Sequence, residues 1–223
     1  MDSIYLEYKG QKGELTKYTT TIDTKQSMTE KGASKESANK IQLVMSQLIT
    51  DVSADGVTTV DILIESGDIT NGTESFPLPN TGQKITMKMK KTGEVIYTSI
   101  PVDFSQPSFP EGPKRKKDRW DSVSQIKVPD KPDPVELNYK YILWDINKMN
   151  GLDCAEIKVS CPETATELQP GVTQKISATG STYFAYKKGC LIKSEVETKT
   201  IIESPENDLF INTRIGVKVE LIS

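Results

Sequence analysis

The stretch from Ile176 to Ile202 constrains the fold more than any other. Its first arm is Ile176-Ser-Ala-Thr-Gly-Ser-Thr-Tyr-Phe-Ala-Tyr186 and its second is Cys190-Leu-Ile-Lys-Ser-Glu-Val-Glu-Thr-Lys-Thr-Ile-Ile202. Both arms carry the β-branched and aromatic residues that suit a pleated, half-buried surface. Lys187-Lys188-Gly189 separates them. A glycine closing a short loop supplies the positive φ that a tight turn needs, so the stretch predicts a β-hairpin.

The first half contains similar signals. Leu15 to Thr24 is Thr-rich with aromatic and β-branched companions and predicts a strand. Gln26 to Asn39 is small and polar, which predicts a loop or frayed strand ends. Ile41 to Val52 fits two patterns. Ile41, Val44, Met45, Leu48, Ile49 and Val52 make a helical stripe, while Ile41, Leu43 and Met45 also alternate. The turn signal Ala54-Asp55-Gly56 before Val57 to Ile64 favours a strand. Asn71-Gly72 marks a turn, and Phe76 to Gly82 reads as a loop. Gln83 to Lys90 alternates strictly, with Ile85, Met87 and Met89 on one face and lysines and Thr86 on the other. Lys91-Thr92-Gly93 then turns the chain into Glu94 to Ile100. The run Lys90 to Ile96 echoes Lys187 to Ile192, so each half is expected to close with a similar hairpin.

In the second half, Val135 to Met149 carries apolar residues on both faces. Asn150-Gly151 turns it into a returning strand over Cys154 to Cys161. Pro162 to Gly171 reads as a loop, and Ser204 to Asp208 leads into a last strand, Leu209 to Ile222. The expected fold is mainly β, with one or more curved antiparallel sheets, half-barrel-like, and little helix. An N-terminal lobe over 1–100 and a C-terminal lobe over 135–223 flank a Pro-rich connecting segment, 101–134. The two halves read as related lobes or as one long sheet. Prolines at 101, 107, 110, 113, 129, 132 and 134 disfavour regular structure in that segment.

Composition narrows the function. Hydrophobic content is 35% and mean hydropathy −0.44, which suits a sheet with one wet face or a large share of loop. A net charge of −3 does not mark a general nucleic-acid binder, and no nucleic-acid partner is expected. No apolar run approaches the roughly 20 residues that span a bilayer as a helix. Met1-Asp2-Ser3-Ile4 has no basic and apolar leader character. The three cysteines, Cys154, Cys161 and Cys190, leave at least one thiol free or paired with another molecule. Buried reduced thiols and a single disulfide both fit. A metal site does not, because His is absent and Cys154 and Cys161 are not a Cys-x-x-Cys clamp.

The absence of His also excludes Ser-His-Asp and Cys-His catalysis within one chain. Ser37-Ala-Asn-Lys40 matches Ser-x-x-Lys, and Lys91-Thr92-Gly93 matches Lys-Thr-Gly. Both are short patterns in a chain rich in Ser, Thr and Lys, and no Ser-Asp-Asn accompanies them. Asp51 with Asp55, and Glu195 with Glu197, read as charges keeping strand faces soluble. Asp61, Glu65 and Asp68 lack the spacing of a calcium loop, and no Gly-rich phosphate loop is present. No enzyme activity, cofactor or metal is therefore expected. Ile85, Met87, Met89, Tyr183 and Ala185 are candidates to line an apolar ligand cavity, or to fill a closed core. Lys114, Arg115, Lys116, Lys117 and Arg119, beside Trp120, read as a solvated loop or as a contact for anionic headgroups or nucleic acid.

The chain resembles a family of bacterial extracytoplasmic lipoproteins of uncharacterised function. The matching pieces are Phe109-Pro-Glu-Gly-Pro113 before Asp118-Arg-Trp120, Tyr141-Ile-Leu143 with Gly151-Leu-Asp-Cys-Ala-Glu-Ile157, and Gly180 to Glu195; Tyr8 to Tyr18 also fits. Such proteins look like distant relatives of LolA- and LppX-type envelope proteins, whose curved sheet forms a half-barrel with an apolar concave face. The resemblance implies a non-enzymatic cell-envelope protein in the periplasm or associated with the outer membrane. Its partner would be a lipid or other amphiphile on the concave face. The alternative is a structural or protein-interaction module with a solid core and an envelope protein as partner. The family's Gly-Asp before the Trp is replaced here by Lys117-Asp118-Arg119. No lipid-attachment cysteine lies near Met1, so membrane contact would come only through an anchor outside this sequence.

Overall fold

Alternation of β-branched or aromatic residues with polar ones persists over whole segments, and the chain accordingly builds long antiparallel strands. The computed structural model describes residues 3–100, 107–126 and 135–223. The strands of the first half are β1 (Ile4–Tyr5), β2 (Leu15–Glu30), β3 (Ala33–Val52), β4 (Thr58–Asn71), β5 (Glu74–Pro77), β6 (Lys84–Met89) and β7 (Val95–Thr98). Then come β8 (Pro113–Lys114), β9 (Arg119–Ile126), β10 (Val135–Met149), β11 (Leu152–Gln169), β12 (Val172–Ala185), β13 (Cys190–Ser204) and β14 (Leu209–Leu221). Among the described residues the one helical turn is a 3-10 turn, Pro205–Asn207.

Among the described residues, twelve strands form one sheet in the order β7-β6-β4-β3-β2-β14-β13-β12-β11-β10-β9, with β5 also on β4; β1 and β8 pair separately. Over these residues the sheet is curved and does not close into a barrel. Its halves join where β14 returns to β2, in an uninterrupted register from Leu209 opposite Glu30 to Leu221 opposite Tyr18. The opening hairpin is β12–β13, with Gly189 at φ +78° in the turn.

Ile41 to Val52 is strand throughout, inside β3, as the turn signal at Ala54-Asp55-Gly56 favoured. Other expectations need correction. Gln26 to Asn39 is not a loop. β2 and β3 stay in register to Glu30 opposite Ala33, around a turn at Lys31-Gly32. Its polar side chains carry no apolar signal, and ladder hydrogen bonds hold it instead. Pro162 to Gly171 is likewise mostly strand: β11 continues through Pro162, where the register shifts between Cys161 and Thr164. A bulge tolerates the missing N–H of proline. Within the Pro-rich segment, residues 101–106 and 127–134 lie outside the described residues. Between them β9 forms in a stretch without proline and pairs with β10 from Ile126 opposite Val135 to Arg119 opposite Ile142.

Two of the buried clusters form opposite wings of the sheet. On one, Ile62, Ile85, Met87 and Met89 of β4 and β6 pack together. On the other, Leu143, Ile157 and Phe184 of β10 to β12 pack with Leu6, Phe109 and Trp120. Tyr8 packs against both clusters.

Candidate functional site: an apolar trough closed at one end by an N-terminal strap

The segment preceding β2 crosses between the wings. The Tyr8 backbone N–H donates to the Lys91 carbonyl at 2.8 Å, and the Lys9 N–H donates to the Gly189 carbonyl at 3.0 Å. Lys91 and Gly189 sit in the two turns whose sequences echo each other. Neighbouring residues of one strap therefore hold both turns. The Phe109 N–H adds a bond to the Thr92 carbonyl at 2.7 Å. Gly93 turns at φ +88°, and a Cβ there would stand 2.6 Å from the Pro107 carbonyl oxygen and 2.7 Å from the Tyr8 ring. Only glycine fits such an approach without strain. The Tyr8 ring stacks on Phe109 at 5.2 Å and meets the edge of Phe184 at 5.0 Å.

Beyond this strap the concave face forms a partly open trough of about 1100 Å³. Met45, Val60, Ile64, Val217 and Val219 make much of its wall, drawn from β3, β4 and β14. Hydroxyls interrupt the apolar surface. Thr182 and Ser194, facing each other across β12 and β13, are both buried and hydrogen-bond at 3.0 Å. The Tyr18 hydroxyl donates to the Leu191 carbonyl at 3.3 Å. Tyr8 and Thr20 also line the trough, but their hydroxyl oxygens are buried and have no hydrogen-bond partner among the described residues; Thr20 is only 6% exposed. Burial pushes the Tyr8 phenol well above its ordinary range, and the neighbouring Tyr18, Tyr141 and Cys190 push the same way. Tyr141 is pushed up to about 12, mainly by burial and then by Tyr139. These phenols stay protonated and neutral at any physiological pH.

Of the residues singled out in the sequence, Ile85, Met87 and Met89 are buried on β6 and line this cavity. Tyr183 and Ala185 do not line it. They pack with Cys154, Cys190 and Ile192 in a separate small cluster, while Thr182, next along β12, lines the cavity. The basic run is tied down. Lys114 pairs with Ile4, Lys116 bridges Asp145 at 2.8 Å, and Lys117 Nζ sits 3.2 Å over the Trp144 ring. Arg115 and Arg119 are exposed. Trp120 is buried, stacks on Tyr141 at 5.5 Å, and donates its indole N–H to the Ser108 carbonyl at 2.9 Å. Tyr8, Thr20 and Ser194 were not anticipated. The Thr-rich pattern of β2 signalled a strand but gave no hint that one hydroxyl would be left without a partner.

All three cysteines are free and buried, and burial raises each thiol's pKa. Among the described residues no group of three or more potential metal ligands converges. Ser37 lies on the exposed stretch of β3 near the Lys31-Gly32 turn, whereas Lys91-Thr92-Gly93 adjoins the strap. The two short motifs are therefore not assembled into one site.

No family model matches the chain, and no curated protein matches it. Among solved structures, a DUF1329 family protein from Desulfovibrio piger is similar at 14% identity, over 88% of this chain and 83% of that one, with a TM-score of 0.18. So low a score carries no argument about fold or function, and no link to LolA- or LppX-type proteins follows from it.

Proposed function

We propose that this is a non-enzymatic cell-envelope protein that holds a lipid or other apolar ligand in the trough. One observation carries the reading: a concave sheet face with a partly open trough of about 1100 Å³, walled by Met45, Met87, Met89, Val60 and Val217. That volume exceeds the range of roughly 300–1,000 Å³ usual for small-molecule pockets, and methionine adapts its shape to irregular apolar partners. Burying apolar ligand surface there would contribute roughly 25 cal/mol per Å² before the costs of association. An extracytoplasmic location and the absence of catalysis belong to the same proposal. The test is incubation with a total lipid extract, repurification, and native mass spectrometry. A bound mass that dissociates as a lipid supports the reading; a protein that always emerges without added mass overturns it.

The second reading, an interaction module, is favoured by β9. Among the described residues β9 pairs with β10 alone, and its Val123 is 55% exposed. An outer strand of this kind can accept a further strand from a partner. Pull-down with and without residues 114–119 tests whether this edge and its basic approach hold a partner; a partner lost on deletion favours this reading.

A further inference from the structure

We infer that the basic turn after β8, together with the tryptophan beside it, is a docking surface for a bilayer that contains anionic phospholipid. The inference goes beyond the ligand-binding reading and does not depend on it. Two independent observations carry it.

The first is the concentration of positive charge. The whole chain has a net charge of −3, yet residues 114–119 hold five cations, Lys114, Arg115, Lys116, Lys117 and Arg119, against one carboxylate, Asp118. The fold keeps them together. Asp118 closes the turn by accepting from the Arg115 backbone N–H at 2.8 Å, and the Lys117 N–H donates to the Leu143 carbonyl at 2.7 Å, which fixes the turn against β10. Asp145 takes up Lys116 at 2.8 Å. Arg115 and Arg119 stay exposed, one in the turn and one at the start of β9.

The second is the placement of two aromatic rings. The register of β10 on β11 shifts between Leu143 and Asp145, so Trp144 is the extra residue that the ladder leaves out. It is 45% exposed, whereas the other tryptophan, Trp120, is buried. Lys117 Nζ, 3.2 Å over the ring, keeps the indole beside the turn. Tyr5 stands opposite Pro113 and is 53% exposed. An exposed ring therefore stands at each end of the run 113–117. A single exposed ring, or a lysine-rich turn, is ordinary protein surface. Joined, they match a bilayer interface, where amphipathic rings settle at headgroup level and each Lys or Arg adds attraction to anionic lipid. Duplex nucleic acid would use the cations and leave the rings idle, so the rings favour the bilayer.

The experiment sediments the full chain with sucrose-loaded vesicles of phosphatidylcholine, or of phosphatidylcholine with a quarter phosphatidylglycerol. Each is run at low salt and in about 1 M salt, where the screening length falls to about 3 Å. The protein is expected to pellet with the mixed vesicles at low salt, and to stay in the supernatant with neutral vesicles or in high salt. Arg115→Gln with Arg119→Gln should lower the partition coefficient about 25-fold, about fivefold for each cation removed. Trp144 emission should move to the blue when mixed vesicles are added, and Trp144→Phe should abolish that shift. All three side chains are exposed, so an unchanged melting temperature is expected and confirms that the variants are folded. Failure to pellet with mixed vesicles overturns the inference. So does equal pelleting with neutral ones, a partition unchanged in the double arginine variant, or tryptophan emission that does not move. Duplex DNA that competes the protein off the vesicles through the same arginines, with no Trp144 shift, would assign the patch to nucleic acid and also overturn it. Lipid taken into the trough leaves the protein in the supernatant with added mass, so each of these failures leaves the ligand-binding reading standing.

Discussion

Lys9 donates its backbone N–H to the carbonyl of Gly189, 3.0 Å away and 180 residues later in the chain. The contact is close enough that a Cβ on Gly189 would collide with the backbone nitrogen and Cβ of Lys9. Gly189 also turns at φ +78°, where a side chain is strained even in open space. Gly189→Ala should therefore destabilise the protein by about 2–4 kcal/mol, combining backbone strain with displacement of the strap. Urea unfolding monitored by tyrosine and tryptophan fluorescence measures it. A loss below about 0.5 kcal/mol would mean the strap is not held at this turn.

The buried hydroxyl pair of Thr182 and Ser194 predicts a non-additive result. Thr182→Val alone strands the Ser194 hydroxyl, and Ser194→Ala alone strands that of Thr182. Each should cost about 1–3 kcal/mol, whereas the double variant should cost less than the sum of the singles. A double-mutant cycle in chemical denaturation checks this. Strict additivity would show that the two hydroxyls do not depend on one another.

Acid should weaken the β4–β6 pairing through Asp61. Its carboxylate pairs with Lys84 at 2.7 Å and accepts from the Thr86 hydroxyl at 2.7 Å. The Lys84 contact, then the Thr86 bond, holds its pKa below the usual carboxylate value. A folded-state pKa below the unfolded one gives stability that is present above the unfolded value and lost as pH falls through the folded one. Between about pH 5 and pH 2 the native protein should lose more of its melting temperature than Asp61→Asn does. Glu65, Asp145 and Asp153 are lowered in the same sense by Lys17, Lys116 and Lys187, so the variant should soften the acid slope without abolishing it. Melting curves across that range decide the point, and identical slopes would rule Asp61 out as a contributor.

The thiols give a simple chemical count. Cys154, Cys161 and Cys190 are all buried and unpaired, with burial disfavouring the reactive thiolate. A chromogenic disulfide reagent should react slowly with the native protein and titrate all three thiols in denaturant. Recovery of one thiol in denaturant would indicate a disulfide in the purified protein.

Much of the architecture was legible in local pattern. The turn glycines at 93, 151 and 189 take the positive φ that their turns require, and the strict alternation of β6 put Ile85, Met87 and Met89 on one buried face. The reading weakened where pattern weakened. In β12 both faces are apolar, so alternation separates Tyr183 and Ala185 from Thr182 and Phe184 without saying that Thr182 lines the cavity. The polar tips of β2 and β3, and β11 beyond Pro162, looked like loops because no buried residue marks them. Their hydrogen bonds come from neighbouring strands, which a local window does not contain.

Side-chain chemistry repeated every second residue was enough to determine a mainly antiparallel sheet, since that period suits an extended backbone with distinct faces. The strap, the union of the two halves through β14 and β2, and the isolation of the Tyr8 and Thr20 hydroxyls were decided only in three dimensions. Each depends on contacts between residues far apart in the chain, and the energy of such contacts is set by what the folded sheet brings alongside them.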